Sequence, residues 1–273
     1  MKFGIVFKEE KKAKEFAQKA TDYLKVKGHN VVLEKKLKDA KFIITFGGDG
    51  TLIHNACEFA EFGIPLVGIN TGRLGFLTTA EAEDWQKILD KLISGEIIVA
   101  ERMTIEAEAA NSVLQTAIGN KKKAVSYRAV NEIVIKGHFR VVDLEIEVNG
   151  EKFLQVVGDG VIIATPTGST AYSLSSGGPI VDPNLECFLV TPINPIGLPI
   201  PSVVVSPKDE IMVRIVKGED ISLVIDGQQN SKLKAGQSMK ILRGKNIKLG
   251  YLDKEHFFKA LNAKFNLATR IGK

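Results

Sequence analysis

Cysteine is almost missing from this 273-residue chain: it has two, Cys57 and Cys187, far apart in the sequence. That spacing argues against a disulfide framework and suits a reducing compartment, so a cytoplasmic setting is expected. Histidine is scarce as well, and His29, His54, His138 and His256 show no metal-ligand spacing with the cysteines, which speaks against a zinc site. The first apolar run gives way to Lys8-Glu9-Glu10-Lys11-Lys12, so no signal peptide is expected. A long stretch without charge, Cys187 to Val205, contains Pro192, Pro195, Pro199 and Pro201. Proline at that density breaks a spanning helix, and no membrane partner is expected. Beyond Lys121-Lys122-Lys123 there is no dense basic block. The net charge of +5 therefore reads as solvated surface, compatible with polyanionic small molecules but not indicative of nucleic acid. Two nucleotide signatures are absent too. There is no Gly-x-x-x-x-Gly-Lys-Ser/Thr to cradle a donor's phosphates, and no Gly-x-Gly-x-x-Gly follows the first strand, as a dehydrogenase would need.

What is present is organised around Gly47-Gly48-Asp49-Gly50-Thr51. The apolar run Phe42-Ile43-Ile44-Thr45-Phe46 precedes it and an amphipathic run from Leu52 follows, so the setting reads as strand, tight loop, helix. Three glycines in four positions permit positive φ and let a phosphate-bearing ligand approach the amides at the helix N-terminus. Asp49 would repel an anion. It makes sense as a base accepting a proton from a hydroxyl, or as a magnesium ligand. The loop thus suggests phosphoryl transfer to an alcohol, the alternative being an ordinary turn with Asp49 as helix cap.

With 44% hydrophobic and 25% charged residues the chain has the composition of a globular protein, long enough for two domains or one large one. Residues 1–96 read as an α/β domain with a mostly parallel sheet: strands at Phe3 to Phe7, Val31 to Leu33, Phe42 to Phe46 and Leu66 to Ile69 alternate with helical periodicity. From Ile97 to residue 254 short alternating strands predict an all-β second domain, with Asn111 to Ser126 as a mobile hairpin loop or connection. A C-terminal helix within 255–273 is expected to pack back on the first sheet.

The second domain carries Gly158-Asp159-Gly160, the run Val161 to Ala164, and then Thr165 to Pro179, in which eight of fifteen residues bear a hydroxyl. Such a segment does not build an apolar core. It suits a folded binding loop that meets a ligand rich in donors and acceptors, such as a nucleotide. A flexible Ser/Gly linker is the alternative, against which Tyr172 and the buried-looking strand before the segment count.

Gly47 to Thr51, Asn131-Glu132 and Gly158 through Pro179 together resemble the motifs of the NAD kinase family, over nearly the whole chain. The first motif is shared with diacylglycerol and sphingosine kinases and, more loosely, with phosphofructokinases; the long threonine-serine motif is the specific one. The resemblance implies an α/β N-terminal domain, a sandwich-like β C-terminal domain and an active site between them. It implies that Asp49 is the general base that deprotonates the 2′-hydroxyl of the adenosine ribose of NAD, attacking a terminal phosphoryl group of ATP or polyphosphate carried with Mg2+. Gly50 would lie close to the sugar, His54 would face the ligand and Phe76 would wall the nucleoside pocket. Asn131 and Glu132 would hold the nucleotide, and Asp159 the nicotinamide side. Thr167, Thr170, Ala171, Tyr172, Ser173, Leu174 and Ser175 would surround the dinucleotide, with Arg140 and Gln228 at further ligand-contacting positions. Members are commonly dimers or tetramers, so a homodimer or homotetramer is expected.

Ser176 departs from the family's usual alanine, and Pro195 to Pro201 lacks the histidine and arginine many members carry there. A lipid kinase of the same superfamily would share the first loop but have no use for the second. A non-catalytic NAD(P) sensor would gain nothing from Asp49.

Overall fold

A computed structural model of the chain describes residues 1–32, 34–72, 75–109, 115–118, 121–124, 126–197, 199–254 and 256–266. It divides into two units, Met1–Arg102 with Asn246–Lys273, and Met103–Lys245.

The first unit follows from alternating runs of period 2 and period 3.6. Strands β1 (Lys2–Phe7), β2 (Asn30–Val32), β3 (Phe42–Gly47) and β4 (Leu66–Asn70) lie parallel in the order β2-β1-β3-β4, and β5 (Ala80–Glu81) adds to β4. Helix α1 (Lys11–Val26) buries Ala13, Ala17, Ala20 and Leu24, three to four residues apart, and stops at Gly28, whose φ of +80° suits glycine. Helix α3 (Trp85–Ser94) buries Ile88, Leu89 and Leu92 and ends at Gly95, again at φ +80°. Both join Phe3, Ile5, Ile44, Phe46, Val67 and Ile69 in one core. Helix α2 (Asp49–Phe59) takes the opposite face: a Cβ on Gly68, the residue after Val67, would run into the Leu52 side chain at 2.9 Å. Leu33, at the end of the second expected strand, lies outside the described residues.

Two strands correct the expected partition. Ile98–Arg102, here β6, and Ile247–Tyr251 were assigned to the all-β domain, but both complete the first sheet. Ile247–Tyr251 runs parallel to β4 and antiparallel to β6, with Arg102 opposite Ile247. Alternation identifies a strand but not the sheet it joins, since pairing is decided by partners more than a hundred residues away. The C-terminal helix, His256–Phe265, belongs to the first unit and buries Ala260. The rest of the expected 255–273 segment, apart from Asn266, lies outside the described residues.

The second unit is all-β, with two six-stranded sheets. One contains Glu132–Gly137, Gly160–Ala164, Phe188–Ile193, Val203–Val205, Ile221–Ile225 and Gln228–Leu233; the other contains Ile105–Ala109, Ser126–Ala129, Val142–Val148, Glu151–Gly158, Ile211–Lys217 and Ser238–Arg243. Ile133, Ile135, Val161, Ile163, Val190 and Leu223 from the first meet Ile105, Leu144, Ile146, Val213 and Ile241 from the second in a single buried core. This is sheet-on-sheet packing of alternate residues. In the expected hairpin 111–126, Gln115–Ile118 pairs antiparallel with Lys121–Ala124, and 110–114, 119–120 and 125 lie outside the described residues. The proline-rich stretch supplies the buried strand Phe188–Ile193, with Pro192 opposite Val161. Its prolines, read only as excluding a membrane span, had hidden that strand.

Candidate active site

In the first unit the glycine-acid motif sits at the carboxyl end of β3. The order β2-β1-β3-β4 places it beside the point where the strand order reverses, the position at which open α/β sheets take ligands. Asp49 is the first residue of α2, with Gly48 as cap, so the helix starts three residues before Leu52. Gly48, Asp49 and Gly50 are not buried, and a Cβ added at Gly48 or Gly50 would meet nothing within 4 Å. Neither is at positive φ, contrary to expectation. These two glycines leave open space over the start of the helix; the fold does not require them for a special backbone conformation. Gly47 differs, because a Cβ there would clash with the side chain of Thr51.

The Asp49 carboxylate is held by the loop 76–78. The Phe76 amide donates to Oδ2 at 2.6 Å, and the Leu77 and Thr78 amides donate to Oδ1 at 3.1 Å each. Gly75 makes this possible, because a Cβ there would occupy the position of the carboxylate. Two carboxylate oxygens offer about four acceptor sites, so among the described residues one on Oδ2 stays open beside the bond from Phe76. His54 is exposed one helical turn beyond Gly50, on the same face of α2.

Phe76 contributes its amide to Asp49, while its ring turns to the C-terminal helix. The Lys264 ammonium lies over it at 4.0 Å from the ring centroid, and the Phe265 ring is 6.2 Å away. His256, at the start of that helix, stacks on Tyr251 at 4.6 Å, and Arg102 covers the Tyr251 ring at 5.4 Å. Burial pushes the His256 imidazole below its usual range, against the opposing pull of Asp253, the Phe76 backbone and Asp49. Burial likewise pushes the Tyr251 phenol up, with Arg102 opposing it. No motif pointed to Arg102, Tyr251, His256 or Lys264; only their placement in space does.

In the second unit one end of a sheet gathers most of the expected residues. Asn131 and Glu132 open the strand Glu132–Gly137, where Glu132 pairs with Ala164, the last residue before the hydroxyl-rich segment. Gly168 lies so close to the Asn131 backbone that a Cβ would collide with it. The segment is ordered and largely turned inward. Thr165 donates its hydroxyl to the Val130 carbonyl at 2.6 Å, and the Ser169 hydroxyl accepts the Val181 amide at 3.0 Å. Ser173 shares a hydrogen bond with Thr191 at 3.1 Å. Thr167 and Ser173 are therefore buried parts of the loop's own frame, and Thr170, Ala171, Tyr172, Leu174 and Ser175 form its accessible side.

Asp226 opens the two-residue turn between Ile225 and Gln228. It adopts φ +46° and Gly227 φ +79°, the pair a tight hairpin turn demands, and its carboxylate accepts the amides of Val130 at 2.9 Å, Asn131 at 2.7 Å and Glu132 at 3.1 Å. It thereby ties the turn before Gln228 to the Asn131-Glu132 pair. Glu132 is only 4% exposed, and its Oε2 is buried without a hydrogen-bond partner. Burial, reinforced by Asp226, pushes its carboxyl up to about 8, with the Tyr172 backbone opposing.

Asp159 and Arg140 are not brought to this cluster. The Gly137 amide donates to the Asp159 carbonyl, and Gly160 pairs with Lys136, at the far end of the same ladder from Ala164 and Glu132. Four residue steps separate the two ends, roughly 13 Å at ~3.3 Å each. Asp159 is exposed and accepts from Asn194 at 2.7 Å; Arg140 is exposed and lies 4.0 Å from Glu219.

Among the described residues no three His, Cys, Asp or Glu side chains stand together as a metal site, and no helix is long and apolar enough to cross a membrane. Residues 5–97 match the model of the ATP-NAD kinase N-terminal domain, and residues 130–249 that of the ATP-NAD kinase C-terminal domain. The NAD kinase of Natranaerobius thermophilus is 37% identical over 230 residues, 82% of this chain and 77% of that protein. That of Fusobacterium nucleatum is 35% identical over 272 residues, 97% of each chain. Among solved structures, an NAD kinase from Archaeoglobus fulgidus in complex with ATP aligns with a TM-score of 0.76 at 27% identity, covering 96% of this chain and 98% of its own. Yeast NADH kinase complexed with NADH shares the fold, with a TM-score of 0.85 at 23% identity, covering 100% of this chain and 90% of that one.

Proposed function

The chain belongs to the NAD kinase family, a family of phosphotransferases, and from that premise we propose that it moves the terminal phosphoryl group of ATP or polyphosphate onto the 2′-hydroxyl of the adenosine ribose of NAD, giving NADP. The observation that carries this reading is the Asp49 carboxylate, fixed by three backbone amides and still open at Oδ2, in a turn whose flanking glycines leave its approach clear. Oδ2 accepts the proton of the ribose hydroxyl as its oxygen attacks phosphorus, and the amides of 76–78 hold the carboxylate so that no orientation is lost at that moment. Asn131, Glu132, the accessible side of Thr170 to Ser175 and Gln228 hold the nucleotide, while Gly50 and His54 face the sugar. Asp159, at the far end of the ladder, is assigned to the nicotinamide side of NAD, and Arg140 to a further ligand-contacting position.

Mg2+ enters as part of the donor, bound to its phosphates and water. An ion that keeps its waters and phosphate ligands needs no dedicated protein cage, which leaves the open site on Asp49 Oδ2 to the ribose proton. The two free cysteines fit a reducing compartment, so the proposal places the enzyme in the cytoplasm. Assembly as a homodimer or homotetramer belongs to the same proposal. The strand Glu151–Gly158, last in its sheet, supports it by exposing Phe153 and Val157, and light scattering tests it.

The decisive experiment incubates the protein with NAD, Mg2+ and either ATP or polyphosphate, then measures NADP with an NADP-specific dehydrogenase. NADP formed with at least one donor is the expected result. Binding of NAD without product from either donor would make the chain a dinucleotide sensor instead.

A further inference from the structure

We propose that Asp226 is a positioning residue for the Asn131-Glu132 pair, and that Glu132 meets the dinucleotide as a neutral carboxylic acid whose Oε2 hydroxyl donates a hydrogen bond to an acceptor atom of the nucleoside. The inference rests on the reading that the second unit's cluster binds NAD, and deepens it by assigning a protonation state and a polarity of contact.

Two carboxyl groups meet at this end of the sheet, and their surroundings differ. Asp226 accepts three backbone amides, from Val130, Asn131 and Glu132, which compensate a negative charge. Glu132 is 4% exposed and has the Tyr172 backbone as its hydrogen-bond partner. Its Oε2 is buried and bonded to nothing among the described residues. An anion so placed would leave one oxygen uncompensated beside the fixed charge of Asp226. A buried, unpaired charge of that kind neutralises by taking up a proton. The charged group acting on Glu132 is Asp226; the Lys136 ammonium, further along the strand, lies over the Tyr172 ring at 5.9 Å from its centroid. The carboxyl's elevated titration range, about 8, accords with this.

The proton changes what the residue can recognise. A carboxylate only accepts, whereas the acid donates through Oε2–H. Asn131 offers both a donor and an acceptor, so the pair presents two donors and an acceptor within one turn, all referred to Asp226 through the backbone. A neutral Glu132 also adds no repulsion toward the pyrophosphate of a dinucleotide.

The test is infrared difference spectroscopy of the full-length protein, wild type minus Glu132→Gln, from pH 6 to 10. The ligand-free wild type should show the carbonyl stretch of a protonated carboxyl group at pH 7 and lose it around pH 8. Asp226→Asn removes the neighbouring charge and should lower the pH at which the band vanishes by a unit or more, a change that loosened packing alone would not produce. Adding NAD at pH 7 should shift the band to lower frequency as the hydroxyl gains an acceptor. NAD affinity of the wild type should fall at least tenfold between pH 7 and 9.5, and that of Glu132→Gln, which keeps a donor at all pH values, should stay level. A wild type with no such band at pH 7 overturns the inference whether or not NADP is made. A band that NAD leaves in place, in a protein that does turn over NAD, overturns the donor role and leaves the kinase reading standing.

Discussion

Phe76 donates its backbone amide to Oδ2 of Asp49 at 2.6 Å, so the proposed base and the loop that follows β4 are one hydrogen-bonded assembly. Replacing Asp49 therefore acts twice. Asn at this position keeps one oxygen but turns an NH2 toward an amide donor, which costs ~1–3 kcal/mol for the groups left unmatched. It also removes the proton acceptor, worth a factor of ~10² to 10⁴ in rate. Asp49→Asn should thus lose most single-turnover rate at saturating NAD and ATP, and should also unfold at lower urea concentration. Full turnover would remove Asp49 from the role of base.

Two glycine substitutions should separate fold from function. Gly50 lies in the first turn of α2 with nothing within 4 Å of an added Cβ, so Gly50→Ala should stabilise the protein by ~0.5–1 kcal/mol through helix propensity. If the ribose approaches there, the KM for NAD should rise about tenfold in that more stable protein. Gly75→Ala puts its Cβ into the Asp49 carboxylate and should lower stability and kcat together. Urea denaturation alongside steady-state kinetics reads both; a Gly50→Ala variant with unaltered KM would clear that surface of a ligand role.

Stability should fall with rising pH through the window set by Glu132. The unfolded carboxyl titrates near its ordinary value of 4.5 and the folded one is pushed up to about 8. Between these the native state holds a proton that the unfolded state has lost, so its contribution is complete below 4.5 and gone above 8, at ~1.4 kcal/mol per unit. Glu132→Gln should gain on the wild type steadily from pH 5 to 8 in urea unfolding; parallel curves would contradict the assignment. His256, depressed by burial below its ordinary value of 6.5, acts at the acid end: its share of stability is present above 6.5 and is lost as pH falls through its lower folded value.

Gly168→Ala should cost ~1–3 kcal/mol by overpacking, because its Cβ overlaps the Asn131 backbone. The relief available is a shift of Asn131, so the KM for NAD should rise more than kcat falls. Equal effects on both would place Asn131 outside the binding surface.

Local pattern carried the elements further than it carried their partners. Ala13, Ala17, Ala20 and Leu24 could be assigned to one buried helix face because period 3.6 is written in adjacent residues. The strand Ile247–Tyr251 was equally legible as a strand, yet its place beside β4 depends on a partner from the start of the chain. The same limit governs the site. Asp49 stood out because glycines isolate it, but the amides that orient it come from residues 76–78. In the sequence Asp226-Gly227 is a turn pair and nothing more, and the three amides it meets come from residues 130–132, nearly a hundred positions away. The hydroxyls of Thr165, Ser169 and Ser173 were taken as ligand contacts or loop polarity, whereas they satisfy the loop's own backbone and neighbours, a demand that composition does not express.

The register of Arg102 against Ile247 means that the polypeptide leaves the first sheet and re-enters it on neighbouring strands running in opposite directions. Topologically, Met103–Lys245 is an insertion in what is otherwise a hairpin. Splicing Arg102 to Asn246 through a short glycine turn should yield a continuous α/β protein that unfolds cooperatively on its own core, and the excised β-sandwich, its ends side by side, should tolerate cyclisation.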